Sequence, residues 1–250
     1  MTLLVTDGFE TYANANDMAT RWVNRSVAAS GFGGSSASIT PVTGRYSGQA
    51  MRYFSSTNSP TGGGFSANVY TDVALGGDYQ TIYAGVAFLL TSNNQWAIPQ
   101  LWLLDANNTM NVDVRINPGP IFYATRGGTT LCTATRNFFL NTWTYLELAV
   151  NISTTAGWLE VWQDGVLAAS YYGTASSRGT ANGNTQAGLA SARLLRIGHS
   201  FGFGGGGVTQ TVRPSYSNVS PDHARCRTVR HSSIRRPRSP SDCPNIAYSS

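Results

Sequence analysis

The chain has 250 residues, 41% hydrophobic and 12% charged, which is enough apolar content for one domain with its own core and too much for a wholly disordered chain. The longest clean apolar run, Ala84 to Leu90, falls far short of the roughly 18 residues of a spanning helix, so a soluble chain without membrane insertion is expected. The formal net charge of +5 sits in one place: residues 1–211 carry 10 Arg against 10 acids, while the remaining 7 Arg face only Asp222 and Asp242.

The amino-terminal stretch MTLLVTDGFE has no basic start and reaches Asp7 after three apolar residues in a row, so no secretory signal is expected there. Asn16 or Asp17 offers a cap for one or two helical turns over Asp17 to Val23 that bury Met18 and Trp22. Beyond them the apolar residues recur at a period of two. Strands are predicted over 49–55, 65–75, 79–91 and 96–104, followed by Asn111 to Ile116 with Val112, Val114 and Ile116 facing in and Asn111, Asp113 and Arg115 facing out. Between the last two, Asp105-Ala106-Asn107-Asn108-Thr109 makes a hairpin loop.

Further strands cover 120–126, 129–136 and Thr144 to Ile152, the last alternating Leu146, Leu148, Val150 and Ile152 against Tyr145, Glu147, Ala149 and Asn151. Over 158–163, Trp158, Glu160 and Trp162 share one face opposite Leu159 and Val161. Asp164-Gly165 then predicts a tight hairpin turn with positive φ into 166–172. A last strand covers 192–199. After it, Gly202, Gly204 and Gly207 match a dinucleotide-binding spacing without the helix that a phosphate cradle needs. About a dozen short strands with almost no helix predict an all-β, antiparallel two-sheet sandwich over residues 1–211.

Residues 212–250 break with this pattern, holding 7 Arg and five of the ten prolines, and are predicted to form an irregular or disordered tail. Three readings of the tail stay open: an arm for nucleic acid or another anionic polymer, an extension without a partner, and a segment translated out of frame. Three cysteines, Cys132, Cys226 and Cys243, give no disulfide or zinc pattern.

TDGFETY, followed by DMATRW and GRYSGQAMRY, resembles the opening of concanavalin A-like, laminin-G-like jelly-roll proteins encoded among the structural genes of tailed bacteriophages. NTWTYLELAVNI followed by GWLEVWQDGVLAAS is similar to the central strand pair of that fold. These are packing and turn residues, so the resemblance speaks to fold more than to activity. It implies a jelly-roll sandwich with Trp22 and Trp143 in packing positions. It also implies a closing strand after Gly207, whose place the arginine-rich tail is expected to take.

Glycoside hydrolysis on such a fold needs two carboxylates on one face. Glu147 and Glu160 are each the only acid of their strand and read as solvated outer-face acids, unless two carboxylates meet across neighbouring strands. His199 lacks a Gly-x-Ser-x-Gly turn and reads as a hydrogen-bonded strand residue, and Cys132 as a small core residue. Asp105 with Asn107, or Asp72 with Asp78, offers hard oxygen ligands. Laminin-G-like domains often bind calcium at a rim, so calcium is the one cofactor considered. Trp96, in a polar context, and Tyr123, close to Arg126, are the least core-like large aromatics; these three residues are the candidate carbohydrate-binding set.

These readings predict a non-enzymatic phage virion protein, a capsid decoration or tail-associated component that contributes particle stability or surface-glycan attachment. The alternative is a dedicated carbohydrate-binding receptor module, with a glycoside hydrolase behind it. The expected partners are other virion proteins and cell-surface polysaccharide, nucleic acid only through the basic tail, and further copies of the chain in an oligomer or lattice.

Overall fold

The computed structural model describes residues 22–31, 36–43, 49–56, 65–92, 98–116, 121–202 and 208–214. Their strands form two antiparallel sheets of seven. Sheet A runs in the order β1 (Trp22–Gly31), β4 (Phe65–Tyr79), β13 (Ala192–Gly202), β6 (Ile98–Leu104), β7 (Met110–Ile116), β8 (Ile121–Arg126) and β9 (Thr129–Asn137). Sheet B runs β12 (Val166–Tyr171), β11 (Trp158–Gln163), β10 (Trp143–Asn151), β5 (Thr81–Ser92), β14 (Val208–Pro214), β3 (Gln49–Ser56) and β2 (Ser36–Thr43). The predicted all-β antiparallel sandwich is therefore what the chain forms.

Two expectations change. Trp22 and Val23 belong to β1 and not to a helix end, with Trp22 buried and Val23 exposed, while residues 17–21 lie outside the described residues. The closing strand is also present: β14 lies between β3 and β5 and pairs antiparallel with both. Its Val-Thr-Gln-Thr-Val run has the β-branched composition a strand favours. The backbone groups of β3 and β5 would otherwise be open edges at that position.

The core follows from the alternation. Leu146, Leu148 and Val150 of β10, Leu159 and Val161 of β11, and Val112, Val114 and Ile116 of β7 are all buried and meet in one cluster between the sheets. Phe88 of β5 meets Phe122 of β8 edge-on at 5.6 Å, and Phe122 stacks on Phe138 at 5.3 Å, so three rings tie sheet B to sheet A. Such contacts stabilise beyond the area they bury. Two polar links cross the same interior, Tyr53 to Thr71 at 2.6 Å and Ser55 to His199 at 2.8 Å. The hairpin at Asp164-Gly165 has φ of 51° and 78°, the doubly positive turn its sequence predicts. The Asp164 carboxylate accepts the Tyr145 amide at 2.8 Å and holds that turn against β10.

A long connection, residues 172–191, joins β12 to β13 and is held by side chains both outside and within it. Asn111, fully buried, accepts the amides of Ala187 and Gly188 and donates to the carbonyls of Leu189 and Ser191, all within 2.8–2.9 Å. Asp105 accepts the Leu189 amide at 2.8 Å. Gly157 and Gly183 close a bridge at the other end of the strap.

Candidate functional site

The two sheets differ in what their outer faces carry. On sheet A, register sets one row of outward side chains across five strands: Asp72 opposite Arg196, Arg196 opposite Trp102, Trp102 opposite Asp113, and Asp113 opposite Thr125. The alternation that puts Leu101, Leu103, Val112 and Val114 into the core forces these residues out. They are nonetheless shielded, Asp72 and Asp113 at 0% exposure and Trp102 at 5%. A buried carboxylate needs a partner, and each has one. Arg196 grips Asp72 through two bonds of 2.6 and 2.8 Å. Arg115, two residues along β7, donates to Asp113, as does Thr125.

Aromatic rings fix the guanidinium of Arg196. It lies 3.6 Å from the centre of the Tyr70 ring and 5.0 Å from that of Trp102, so cation–π attraction adds to the ion pair. Trp102 Nε1 is buried and has no hydrogen-bond partner, which leaves a donor in the middle of the row. In the next row Arg115 stands opposite the half-buried Tyr123.

Burial raises the Asp113 carboxyl above its ordinary range, and the Arg115 charge with the bonds from Thr125 and Arg115 only partly offsets it. Burial likewise raises the Tyr123 phenol; the Arg115 charge opposes this and the Asp113 charge reinforces it. With no exposed surface and both oxygens engaged, Asp113 serves to hold Arg115 and Thr125 in place. Asp72 and Asp113 stand three strand spacings apart, roughly 14 Å. That is beyond the separation of a glycosidase carboxylate pair, and each is bonded to its own arginine.

The outer face of sheet B is built differently. Glu160 is buried; it binds Arg178 through both oxygens and accepts the Tyr172 hydroxyl at 2.7 Å and Trp162 Nε1 at 3.2 Å. Arg178, from the strap, lies 4.4 Å from the centre of the Trp158 ring. Burial alone would raise the Glu160 carboxyl, but the bonds from Arg178 and Tyr172, the Arg178 charge and the bond from Trp162 hold it below its ordinary value. The expected solvated acid is thus a clamp that pins the strap. Glu147, half-buried on the same face, stands opposite Trp162, which puts it diagonal to Glu160 at about 7–8 Å between backbones. With Glu160 fully engaged and held ionised, the two do not divide into an acid and a base. Glu160→Gln is expected to cost about 2 kcal/mol in urea unfolding and to speed tryptic cleavage after Arg178. Wild-type cleavage kinetics in the variant would refute the clamp.

The residues predicted from sequence are dispersed. Tyr123 is on the sheet A face described above. Arg126 lies at the end of β8 and donates to the Asn184 carbonyl at 3.0 Å, so it serves the strap. Trp96 lies outside the described residues. Asp105 accepts the amides of Asn107 and Thr109 as well as Leu189, each at 2.8 Å, which occupies both carboxylate oxygens with backbone donors. Asn107 contributes only its amide to that arrangement. Among the described residues no group of three or more His, Cys, Asp or Glu is placed to hold a metal. Cys132 packs against the core, and burial pushes its thiol up to about 12.

Asp72, Trp102, Arg115 and Arg196 were not in the predicted carbohydrate-binding set. The outward alternation of Asp113 and Arg115 on β7 was legible. The pairing of Asp72 with Arg196 joins residues 124 apart, and no local pattern announces it.

No protein-family description matches the sequence, and no curated protein sequence does. Solved structures do match in fold. An endo-β-1,4-glucuronan lyase from the fungus Trichoderma reesei superposes with a TM-score of 0.51 at 12% identity, over 76% of this chain and 90% of its own. A sialidase superposes with a TM-score of 0.53 at 12% identity, over 88% of this chain and 19% of the sialidase. At that identity the likeness is one of fold: the chain is a jelly-roll β-sandwich of the class on which carbohydrate-active enzymes are built. The expectation of a chain without enzymatic activity is corrected by these neighbours, both of which are carbohydrate-active enzymes. The phage part of the resemblance has no counterpart among these neighbours.

Proposed function

We propose that this chain is a glycan-active protein that seats a polysaccharide across the outer face of sheet A, where Asp113 holds Arg115 beside the ring of Tyr123. The observation that carries the reading is the row from Asp72 to Thr125: charged and aromatic side chains, shielded and mutually oriented, on the sheet face opposite the core. Arg115 fixes the Asp113 carboxyl, and the half-buried ring of Tyr123 stands beside it for a sugar face to rest on. The fold-level likeness to a glucuronan lyase and a sialidase supports glycans as the ligand class. The sequence resemblance to phage structural-gene products supports a virion surface, meeting cell-surface polysaccharide, as the setting; detection of the chain in purified particles tests that separately.

The full chain is to be titrated against a panel of polysaccharides, following retention. At least one polymer is expected to be bound. Tyr123→Ala, with an unchanged circular dichroism spectrum, is expected to weaken binding about tenfold. A panel with no bound polymer would overturn the proposal, as would a Tyr123→Ala chain that binds like the wild type.

A further inference from the structure

The charges on this face carry a consequence for the kind of sugar it takes. A uronic acid residue brings a carboxylate that must be met by a cation not already neutralised. In the row on sheet A both guanidinium groups are committed. Arg196 holds Asp72 through two bonds, and the rings of Tyr70 and Trp102 pack against it, while Arg115 donates to Asp113. Both aspartates are at 0% exposure, so their charges are poorly screened by water. An incoming carboxylate would meet two fixed anions beside two satisfied cations. A neutral sugar, by contrast, presents hydroxyls that accept from a guanidinium or an indole N–H without disturbing an ion pair, and the Trp102 Nε1 donor is without a partner. The zero net charge of residues 1–211 gives an acidic polymer no long-range attraction to this part of the chain.

We infer that the glycan recognised on the outer face of sheet A is a neutral polysaccharide and not a uronate, because each arginine of the row is neutralised by its own buried aspartate. This rests on the glycan reading above.

The test compares matched polymers that differ only at the sixth carbon: cello-oligosaccharides, amylose and galactomannan, each beside its C6-oxidised counterpart, with the full chain at high salt, where attraction to the arginine-rich tail is screened. At least one neutral member is expected to bind about tenfold or more tightly than its oxidised partner. Asp113→Asn, which uncovers the Arg115 charge, is expected to narrow or reverse that preference, and Asp72→Asn to act in the same direction through Arg196. A wild-type preference for the oxidised members would overturn the inference while leaving a glycan site on this face. Equal affinity for both members of every pair would overturn it too. Absence of binding to all six polymers would remove the glycan reading for these ligands, and the inference with it.

Discussion

Gly198→Ala is expected to abolish stable folding, at a cost of about 4 kcal/mol or more against a total stability of about 5–15 kcal/mol. Gly198 lies on β13 between Arg196 and His199, at φ +128°, where side chains are rarely tolerated. A Cβ there would overlap the Val69 carbonyl oxygen and stand 2.7 Å from the Tyr70 Cα and 3.1 Å from the Tyr53 ring. Two of those neighbours are backbone of β4, the strand that pairs with β13, so no rotamer change relieves the overlap. The same strand positions Arg196, and the loss would therefore take the sheet A row with it. A Gly198→Ala chain with the wild-type denaturation midpoint would show that β13 and β4 are not as close as described.

Mild acid is expected to loosen the sandwich through one buried histidine. His199 is fully buried between the sheets, bonded to Ser55, and burial lowers its pKa from 6.5 to about 3. Below pH 6.5 the unfolded chain therefore takes up a proton that the folded chain refuses. Stability is complete above that value and falls as the pH drops toward 3, by up to roughly 1.4 kcal/mol per pH unit. Two carboxyls contribute as well. Glu160, held below its ordinary value of 4.5, contributes stability that is lost only as the pH falls below that figure. Asp113, raised above 3.8, contributes in the opposite sense, favouring the folded state in acid. The difference between the wild type and His199→Gln from about pH 6.5 to about pH 5 therefore isolates His199, with an expected loss of about 2 kcal/mol. Denaturation midpoints across that interval should fall more steeply in the wild type than in His199→Gln. Equal slopes in the two chains would assign the acid sensitivity elsewhere.

Much of the fold was legible because antiparallel strands with one face in a core write their period into the sequence. β7, β10 and β11 were read to within a residue at each end, and the Asp164-Gly165 turn followed from the φ values that pair prefers. β1, β2 and β14 were harder. Val23 and Val27 of β1 are exposed apolar residues on an edge strand, so alternation no longer marks a buried side. β2 is an edge strand interrupted by Pro41. β14 is short and Thr-rich and borders the change in composition.

The site was less legible for a different reason. Its row is assembled from β4, β13, β6, β7 and β8, which lie side by side only because the chain crosses between sheets several times. Asp72 and Arg196 each look like an ordinary surface charge in sequence; their burial and pairing belong to the topology. Tyr123 was legible because it lies close to Arg126 in sequence, and Arg115 was assigned an outward face without being assigned a role.

The strap over 172–191 is held by side chains of the β6–β7 hairpin acting on its main-chain atoms. Its own sequence supplies the rest of the frame: Asn182 accepts the Thr174 amide, Asn184 accepts the Gln186 amide, and the buried Thr185 hydroxyl donates to the Asn151 carbonyl. A Cβ at Gly188 would meet the Asp105 carboxylate and the Thr109 side chain, and one at Gly183 the Tyr171 ring. Ala187, Leu189 and Ala190, by contrast, are exposed and contribute only backbone to the anchoring. Those three letters are thus the natural place to diversify a library on an otherwise fixed scaffold.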